Sequence, residues 1–287
     1  MHRPKRKALL PLKGEHQEGR EVMKVIKDKL RLVASLTAEE INRIKSLFPA
    51  KRHNLYFHYS YFQRKPNFFA VWLMPKKTFV YRYFNAMLSL NPANPPLEAL
   101  EIFNMIEPER WKISRLDVAF DFPTPYEDCF LLPPPTNLRI SRYETTLYYG
   151  AAKSACSACQ YDKQKQLKEV KGIESIPMTR IEFRLKPKQK PLIEYEKDDF
   201  IKMKGFRFVS NTNEFTGLRC LLKSVTNGKR DWRNLKRKDK QAITAAVKKS
   251  TVDMLDLFLE YIEGDIDGFM LEGLNLPSLM KSPLQAV

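Results

Sequence analysis

The sequence contains few of the residues from which disulfide frameworks and zinc sites are built. Only four cysteines and four histidines occur among its 287 residues. The cysteines, Cys129, Cys156, Cys159 and Cys220, are too few and too unevenly spaced for the framework of a small secreted domain. The Cys156-x-x-Cys159 pair lacks both a second pair and a nearby histidine, and a structural zinc site needs four ligands. We therefore expect reduced thiols, a cytoplasmic location and no zinc centre.

Long apolar runs are also missing. No segment reaches the roughly 18 apolar residues that a membrane-spanning helix needs. The run from Ala8 to Leu12 is short and interrupted by a proline, unlike the apolar region of a signal peptide. We therefore expect no membrane partner, and we interpret residues 1–14, which are rich in Lys and Arg, as a basic flexible tail.

Negative charge is scarce relative to positive charge. The chain has 33 Asp and Glu residues against 50 Lys and Arg residues, which gives a formal net charge of +17 and a pI near 9.6. An excess of this size indicates a polyanionic partner, and nucleic acid is the first candidate. With 43% hydrophobic residues the chain also has enough apolar side chains for a substantial core, which excludes disorder as its main state.

Alternation and capping signals predict an α+β fold. Thr37 and Glu40 have the spacing of a capping box at the start of a helix. Alternating aromatic residues over 55–73, around a turn-like segment at 64–67, predict a β-hairpin. We interpret these aromatics as sheet core rather than as a base-stacking platform, because sheets favour aromatic residues in any case.

Further patterns divide the chain into regions. We predict strands over 112–122, 138–149, 155–162 and 178–185, and a long periodic helical segment over 236–262. Together these patterns predict a predominantly antiparallel central sheet with flanking helices and a basic helical C-terminal region. The predicted α+β region is 15–205 and the basic helical region is 206–287, and the two can pack as one continuous domain.

One predicted strand carries charge on one face only. In the segment 113–121, Arg115, Asp117 and Asp121 share a face, and the opposite face is apolar. Two carboxylates on one strand cost stability unless they face water or a cation. The strand therefore indicates either a metal or substrate site or a solvated sheet face with an Arg–Asp pair, and by itself it supports the two interpretations equally.

A second strand repeats this design. Arg180, Glu182 and Arg184 share one of its faces, and apolar residues occupy the other. If the two strands are neighbours, Asp117, Asp121 and Glu182 offer three oxygen ligands beside guanidinium groups. Such a set suits Mg²⁺ or Mn²⁺ next to a phosphate.

The order of four short motifs resembles a known family. The motifs are Arg115-x-Asp-x-x-x-Asp121, Leu147-Tyr-Tyr-Gly-x-x-x-Ser154, Tyr161-Asp-Lys163 and Arg180-x-Glu-x-Arg184. Together they resemble the Rep-trans family, which comprises rolling-circle replication initiators of small Gram-positive plasmids and related nicking relaxases of conjugative elements. The resemblance covers about 115–185. Ala151 and Ala152 depart from it, because a Ser-Arg-like pair is expected there.

The resemblance implies an enzyme that nicks and closes DNA. It makes Tyr161 the nucleophile, with Lys163 and Arg180 assisting it, and it implies that the three carboxylates named above bind Mg²⁺ or Mn²⁺. Since a tyrosine has an unperturbed pKa near 10, nearby cations must favour the phenoxide and neutralise the phosphate. A covalent 5′-phosphotyrosine keeps the energy of the broken bond and allows religation, as in a topoisomerase.

The histidines separate this chain from other enzymes that cut DNA through a tyrosine. They are His2, His16, His53 and His58. They do not form the His-hydrophobe-His metal motif that most other rolling-circle nickases use. They also do not form the His-x-x-Arg context of tyrosine recombinases.

DNA contacts are predicted at two places. Around the nicking centre we expect them from Arg115, Lys153 and Arg184. A dense basic run in the C-terminal region supplies the others: Lys229, Arg230, Arg233, Lys236, Arg237, Lys238 and Lys240. Such a run suits phosphate contacts and the entry of a helix into a groove, and a solvated basic face is the simpler alternative. Beside a nicking centre we favour recognition of duplex origin DNA.

The sequence therefore predicts a plasmid rolling-circle replication initiator in the bacterial cytoplasm. Region 15–205 would nick and religate one strand, and region 206–287 would recognise the origin. The resemblance further implies a homodimer and recruitment of a host helicase. The alternatives are a conjugative relaxase with the same chemistry and a noncatalytic DNA-binding regulator whose carboxylates are structural.

Overall fold

A computed structural model of the protein describes residues 23–51, 54–64, 67–76, 84–134, 138–187, 189–210, 217–226, 229–230 and 232–274. Its strands are β1 (Lys24–Ala34), β2 (Tyr56–Arg64), β3 (Asn67–Pro75), β4 (Ala86–Leu90), β5 (Lys112–Phe122), β6 (Phe130–Leu132), β7 (Ile140–Tyr143), β8 (Thr146–Tyr149), β9 (Cys156–Asp162), β10 (Thr179–Leu185) and β11 (Arg207–Val209). Its α-helices are α1 (Ala38–Leu47), α2 (Leu97–Asn104), α3 (Lys163–Gln166), α4 (Arg219–Thr226), α5 (Arg237–Ser250), α6 (Met254–Tyr261) and α7 (Ile266–Leu271). The predicted basic tail at 1–14 lies outside the described residues.

The α+β prediction is confirmed. Within the described residues, nine strands form one sheet in the order β2-β3-β4-β1-β5-β10-β9-β8-β7, and β6 pairs with β11 in a separate ladder. The pairs β2·β3, β3·β4, β1·β4, β7·β8, β8·β9 and β9·β10 are antiparallel. No helix of the described chain combines the length and the apolar composition that crossing a membrane requires.

Contacts between Cα atoms group the described residues into two units. The hairpin unit takes its residues from 27–117, 186–199 and 265–287, and the site unit takes its residues from 1–26, 118–185 and 200–264. Strand β5 contributes to both units, since the division falls after Asp117. The grouping crosses the predicted boundary at 205/206, because residues 200–264 cluster with 118–185. The functional division of the chain stays a prediction.

The hairpin unit confirms two local predictions. The Thr37 hydroxyl accepts a hydrogen bond from the Glu40 amide at 3.2 Å, and the Glu40 carboxylate accepts one from the Thr37 amide at 2.7 Å, so the capping box starts α1. Strands β2 and β3 form the predicted hairpin, with Arg64 opposite Asn67. Phe69 is fully buried in β3, which agrees with a core role for that aromatic residue.

Two strands of this sheet were not predicted. In β4 all five residues are buried, so the strand has no polar alternation that would distinguish it from other apolar segments. In β1 the buried face includes Lys27, which interrupts the apolar pattern. The Lys27 ammonium donates hydrogen bonds to the carbonyl oxygens of Met270 at 2.8 Å and Glu272 at 2.6 Å, at the end of α7. A buried lysine is tolerated here because these carbonyls replace its hydration.

Two predictions for the site unit were wrong in detail. The predicted strand over 138–149 is the hairpin β7–β8, which turns at Glu144 with a φ of +50°. The predicted helical segment over 236–262 is two helices, because the chain leaves α5 at Thr251 and Asp253 caps α6 through the Leu255 amide at 3.0 Å. In both places a tight turn lacks the glycine or proline that would have marked it in the sequence.

The basic C-terminal helices pack by an apolar face. Leu222 and Val225 of α4 and Ile243 and Val247 of α5 are buried in one cluster with the β6 residue Phe130. Because the apolar faces of α4 and α5 are committed to this core, their polar residues face outward. The basic run is thereby carried at the surface of the site unit.

Candidate functional site

The β9–β10 ladder brings four of the predicted motif residues into register. Tyr161 lies opposite Arg180, Cys159 opposite Glu182, and Ser157 opposite Arg184. Since side chains alternate along a strand, these residues share one face of the ladder. The other face carries residues such as the buried Phe183, which belong to the core. Alternation therefore separates the chemical face from the packing face, as the sequence predicts.

An open pocket of about 260 Å³ lies on the chemical face of the ladder. Its lining includes Tyr148 from β8, Cys159 and Tyr161 from β9, Glu182 and Arg184 from β10, and Lys165 from α3. Tyr161 is half-buried, so its side chain is accessible from the pocket. The predicted nucleophile and two predicted partners from the Arg-x-Glu-x-Arg motif therefore share one cavity.

The two adjacent tyrosines of the Leu-Tyr-Tyr-Gly motif have different environments. Tyr148 is half-buried and lines the pocket. Tyr149 is fully buried, and burial raises the pKa of its hydroxyl well above the ordinary value. Tyr149 is therefore a core residue, packed edge to face against Phe206 with ring centroids 6.3 Å apart. Tyr148 lines the pocket but was not predicted as a site residue, although the alternation of side chains along β8 could have identified it.

The remainder of that motif shapes the loop between β8 and β9. Gly150 has a φ of +86°, a conformation that favours glycine. The Ser154 hydroxyl contacts the carbonyl oxygens of Ala151, at 2.6 Å, and Cys156. Ala151, Ala152 and the predicted DNA-contact residue Lys153 are exposed in this loop. Gly150 and Ser154 therefore determine the conformation of this loop, whether or not the loop contacts DNA.

Each of the three predicted metal ligands is paired with an arginine. Asp121 accepts hydrogen bonds from Arg180 Nε and Nη2, both at 2.6 Å. Glu182 Oε1 accepts one from Arg184 Nε at 2.7 Å. In the hairpin unit, Asp117 accepts hydrogen bonds from Arg115 Nε at 2.7 Å and Nη2 at 2.6 Å. These are charge-assisted bonds, and the bonds to Asp117 and Asp121 are bidentate.

This donor set does not fit a pre-formed divalent metal centre. Metal ligation by Asp117 or Asp121 would compete with a guanidinium for both carboxylate oxygens, and Glu182 already accepts at one oxygen. Among the described residues, no group of three or more His, Cys, Asp or Glu side chains is arranged so that it could hold a metal ion. Binding of Mg²⁺ or Mn²⁺ stays a prediction, and no step of the proposed chemistry below is assigned to it.

The predicted catalytic lysine is not part of the pocket lining. Asp162 is the last residue of β9 and caps α3 by accepting from the Lys165 amide at 2.9 Å, so the chain turns into a helix directly after the strand. Lys163 is buried, and its ammonium donates to the Gln166 amide oxygen at 2.7 Å. Lys165, which the sequence argument missed, lines the pocket instead. The predicted strand over 155–162 agrees with β9, but the helix α3 that begins at Lys163 was not predicted.

The predicted DNA-contact residues of the C-terminal run lie around a second pocket. The side chains of Lys229, Arg230, Lys236, Arg237 and Lys238 are exposed, and Lys240 is half-buried. A pocket of about 320 Å³ is lined by Lys229, Arg230, Asn234, Leu235, Lys236 and Asp239. The side chain of Arg233 lies outside the described part of the structure. Exposed cations of this kind attract anions, and DNA contact by these residues stays a prediction.

Comparison with known proteins identifies no family for this chain. No family model matches the sequence, and no curated protein matches it significantly. Among solved structures, the chain is similar to a rolling circle replication initiator protein from Geobacillus stearothermophilus. The match has 15% sequence identity and a TM-score of 0.40, and it covers 85% of this chain and 97% of that one. At this identity and TM-score the match does not establish a shared fold or activity.

Proposed function

We propose that this protein nicks and closes DNA through Tyr161 and initiates rolling-circle replication. The observation that carries the proposal is the position of Tyr161, which lines an accessible pocket together with the cationic residues Lys165 and Arg184. Cations around a tyrosine favour its phenoxide and also bind a phosphate. Tyr161 is half-buried, so its side chain can be reached from the pocket.

The proposed reaction is a transfer of a phosphoryl group between two hydroxyls. The Tyr161 oxygen attacks the phosphorus of a phosphodiester, its proton passes to water, and the bond from phosphorus to the 3′ oxygen breaks. The products are a 5′-phosphotyrosine and a DNA 3′ end, which takes up a proton and can prime synthesis. The reverse reaction rejoins the strand without ATP, because one ester replaces another.

The C-terminal run supplies the proposed duplex contacts. The surface around the second pocket carries Lys229, Arg230 and Lys236, and the net charge of the chain is +17. Phosphate contacts of this kind give salt-dependent affinity for DNA. A homodimer, a host helicase partner and a requirement for Mg²⁺ or Mn²⁺ belong to the same proposal as predictions from the sequence.

One observation favours a second candidate function. Because the three carboxylates predicted to bind metal are all paired with arginines, they are also consistent with a noncatalytic DNA-binding regulator in which they are structural. Such a protein would bind DNA and leave it intact. A conjugative relaxase would share the nicking chemistry and differ only in the DNA process it serves.

The test compares two tyrosines that line the same pocket. Supercoiled plasmid carrying the DNA that flanks the gene is incubated with wild-type protein, Tyr161→Phe or Tyr148→Phe, in Mg²⁺, in Mn²⁺ and in EDTA. We expect open circles and protein-linked DNA with wild type and Tyr148→Phe, and neither with Tyr161→Phe. DNA binding should survive in all three, since each change removes one hydroxyl.

Other outcomes assign the function differently. Loss of nicking in Tyr148→Phe alone would move the nucleophile to β8. Nicking by both variants would place it outside this pair. Binding without nicking by the wild-type protein would support the regulator. Nicking that persists in EDTA would contradict the predicted metal requirement.

A further inference from the structure

We infer that Glu182, which the sequence predicts as a metal ligand, is a positioning residue that holds the Arg184 guanidinium ready to bind a DNA phosphate in the pocket. This inference rests on the proposed function, in which single-stranded DNA occupies the pocket that contains Tyr161. It follows from the disagreement between the predicted metal site and the observed pairing of the carboxylates.

The relative exposure of the pair determines which partner meets a ligand. The Glu182 side chain is 8% exposed and the Arg184 side chain is 34% exposed. Both line the pocket. A ligand entering the pocket therefore meets the guanidinium more readily than the carboxylate behind it, and a phosphate is the ligand of matching charge.

The guanidinium of Arg184 is held at two of its nitrogens. Its Nε donates to Glu182 Oε1 at 2.7 Å, and its Nη2 lies 3.7 Å from the Cys159 sulfur. An arginine side chain loses considerable rotamer freedom when it is immobilised. Because these contacts exist before DNA binds, much of that entropy has already been lost in the free protein, which favours binding.

The pair formed by Asp121 of β5 and Arg180 of β10 has a different role. Asp121 and Arg180 are only 13% and 6% exposed, and neither lines the pocket. This pair therefore lies beneath the binding surface, and we assign it to the stability of the sheet. Of these two arginine–carboxylate pairs, only Glu182 and Arg184 line the pocket that a ligand can enter.

The experiment measures DNA binding without metal. A fluorescent single-stranded oligothymidine is titrated with the full-length Tyr161→Phe protein in EDTA and followed by fluorescence anisotropy. The additional changes are Glu182→Gln, Arg184→Gln, both together, and Arg184→Lys. Glu169→Gln is the charge-matched control, because Glu169 lines the same pocket, is 62% exposed and pairs with Lys165 at 3.7 Å.

The inference predicts a specific pattern of affinities. Loss of a charge-assisted contact should weaken binding about tenfold in Arg184→Gln and in Glu182→Gln. The double variant should bind no more weakly than Arg184→Gln, because the carboxylate acts through the guanidinium. Arg184→Lys should also weaken binding, since an ammonium cannot reproduce the fork that Glu182 orients. Glu169→Gln should bind as well as the reference protein or better.

A metal ligand would give the opposite pattern. Removing a negative charge in Glu182→Gln would then tighten DNA binding in EDTA and would reduce the Mn²⁺ bound to the protein, measured by electron paramagnetic resonance without DNA. That pair of results would overturn the inference. Normal DNA affinity of Arg184→Lys would also overturn it, and this variant provides the test if Glu182→Gln does not fold. If the predicted affinities hold but the wild-type protein never nicks DNA, only the proposed enzymatic function fails.

Discussion

At the scale of single residues, residues of the same type have different roles. Tyr148 and Tyr161 face a pocket, whereas Tyr149 is buried and the pKa of its hydroxyl is raised by burial. The same holds for the arginine–carboxylate pairs, which range from the buried Arg180–Asp121 pair to the more exposed pair in the pocket. The residue type therefore suggests a role, and the burial of the side chain determines whether the residue belongs to the pocket or to the core.

The Asp121–Arg180 pair should contribute strongly to stability. In Asp121→Asn the guanidinium of Arg180, which is 6% exposed, keeps its charge and loses a bidentate partner. Breaking a buried pair in this way should lower the free energy of unfolding by about 3–5 kcal/mol. Urea titration followed by circular dichroism measures the change.

The control for that prediction is an exposed pair in the same unit. Glu169→Gln removes the partner of Lys165, where the side chains are 45% and 62% exposed, and should change stability by less than about 1 kcal/mol. Equal effects of the two substitutions would show that burial does not strengthen the Asp121 pair.

Lys27 should make stability depend on pH. Burial lowers the pKa of its ammonium from 10.5 to about 7, an effect that Glu272 partly opposes. Between these two values the unfolded chain binds the proton more tightly, so this residue's contribution to stability rises as the pH increases from about 7 towards 10.5. The stability of wild type relative to Lys27→Met, measured in urea at several pH values, should therefore increase over this range. A constant difference would contradict the lowered pKa.

At the scale of elements, helix α5 begins in an unfavourable electrostatic arrangement. Its N-cap residue is Lys236, which makes no side-chain capping bond. Arg237, Lys238 and Lys240 follow in the first turn, where the positive end of the helix dipole disfavours cations, and Asp239 offsets only part of their charge. Binding of a DNA phosphate at this end would neutralise the charges and satisfy backbone amides, so the proposed DNA contact would offset the loss of stability.

A substitution at the N-cap should separate these two effects. Lys236→Ser introduces a preferred N-cap residue and removes a cation, so we expect the free energy of unfolding to rise by about 1 kcal/mol. The affinity for duplex DNA should fall, and the slope of its logarithm against the logarithm of salt concentration should decrease by about 1. Thermal unfolding and anisotropy titrations at several salt concentrations measure the two effects.

The matched control lies at the other end of the same helix. Lys248 is exposed in the last turn of α5, where the dipole favours a cation. Lys248→Ser should therefore destabilise the protein slightly and leave DNA affinity nearly unchanged. If both lysines affect DNA binding equally, the effect comes from net charge and not from the helix N-terminus.

At the scale of the whole molecule, one chain combines a strong positive charge with a large apolar core. The net charge of +17 disfavours the compact state by self-repulsion. Within the site unit, apolar faces of α4 and α5 pack with β6 and β11, while the exposed basic residues lie on the surface. Basic residues can therefore be concentrated at the surface, where DNA contacts are proposed, because the apolar residues of the same helices hold them to the core.

Local patterns were sufficient for much of the fold. The capping box of α1, the β2–β3 hairpin and the two faces of β10 follow from interactions over a few residues, and local sequence patterns reveal them directly. The buried strand β4 could not be recognised, because a strand covered on both faces has no alternation. The hairpin turn at Glu144 lacked a glycine or proline signal.

Tertiary packing determined which charged residues pair and which side chains line the pocket. The sequence alone determined that carboxylates and guanidiniums share one face of a strand, because alternation is a property of the backbone. It did not determine that Asp121 pairs with Arg180, residues 59 positions apart, or that Lys165 and not Lys163 reaches the pocket. Those outcomes depend on strand register and on where each helix begins, which the whole unit sets when it buries its apolar residues.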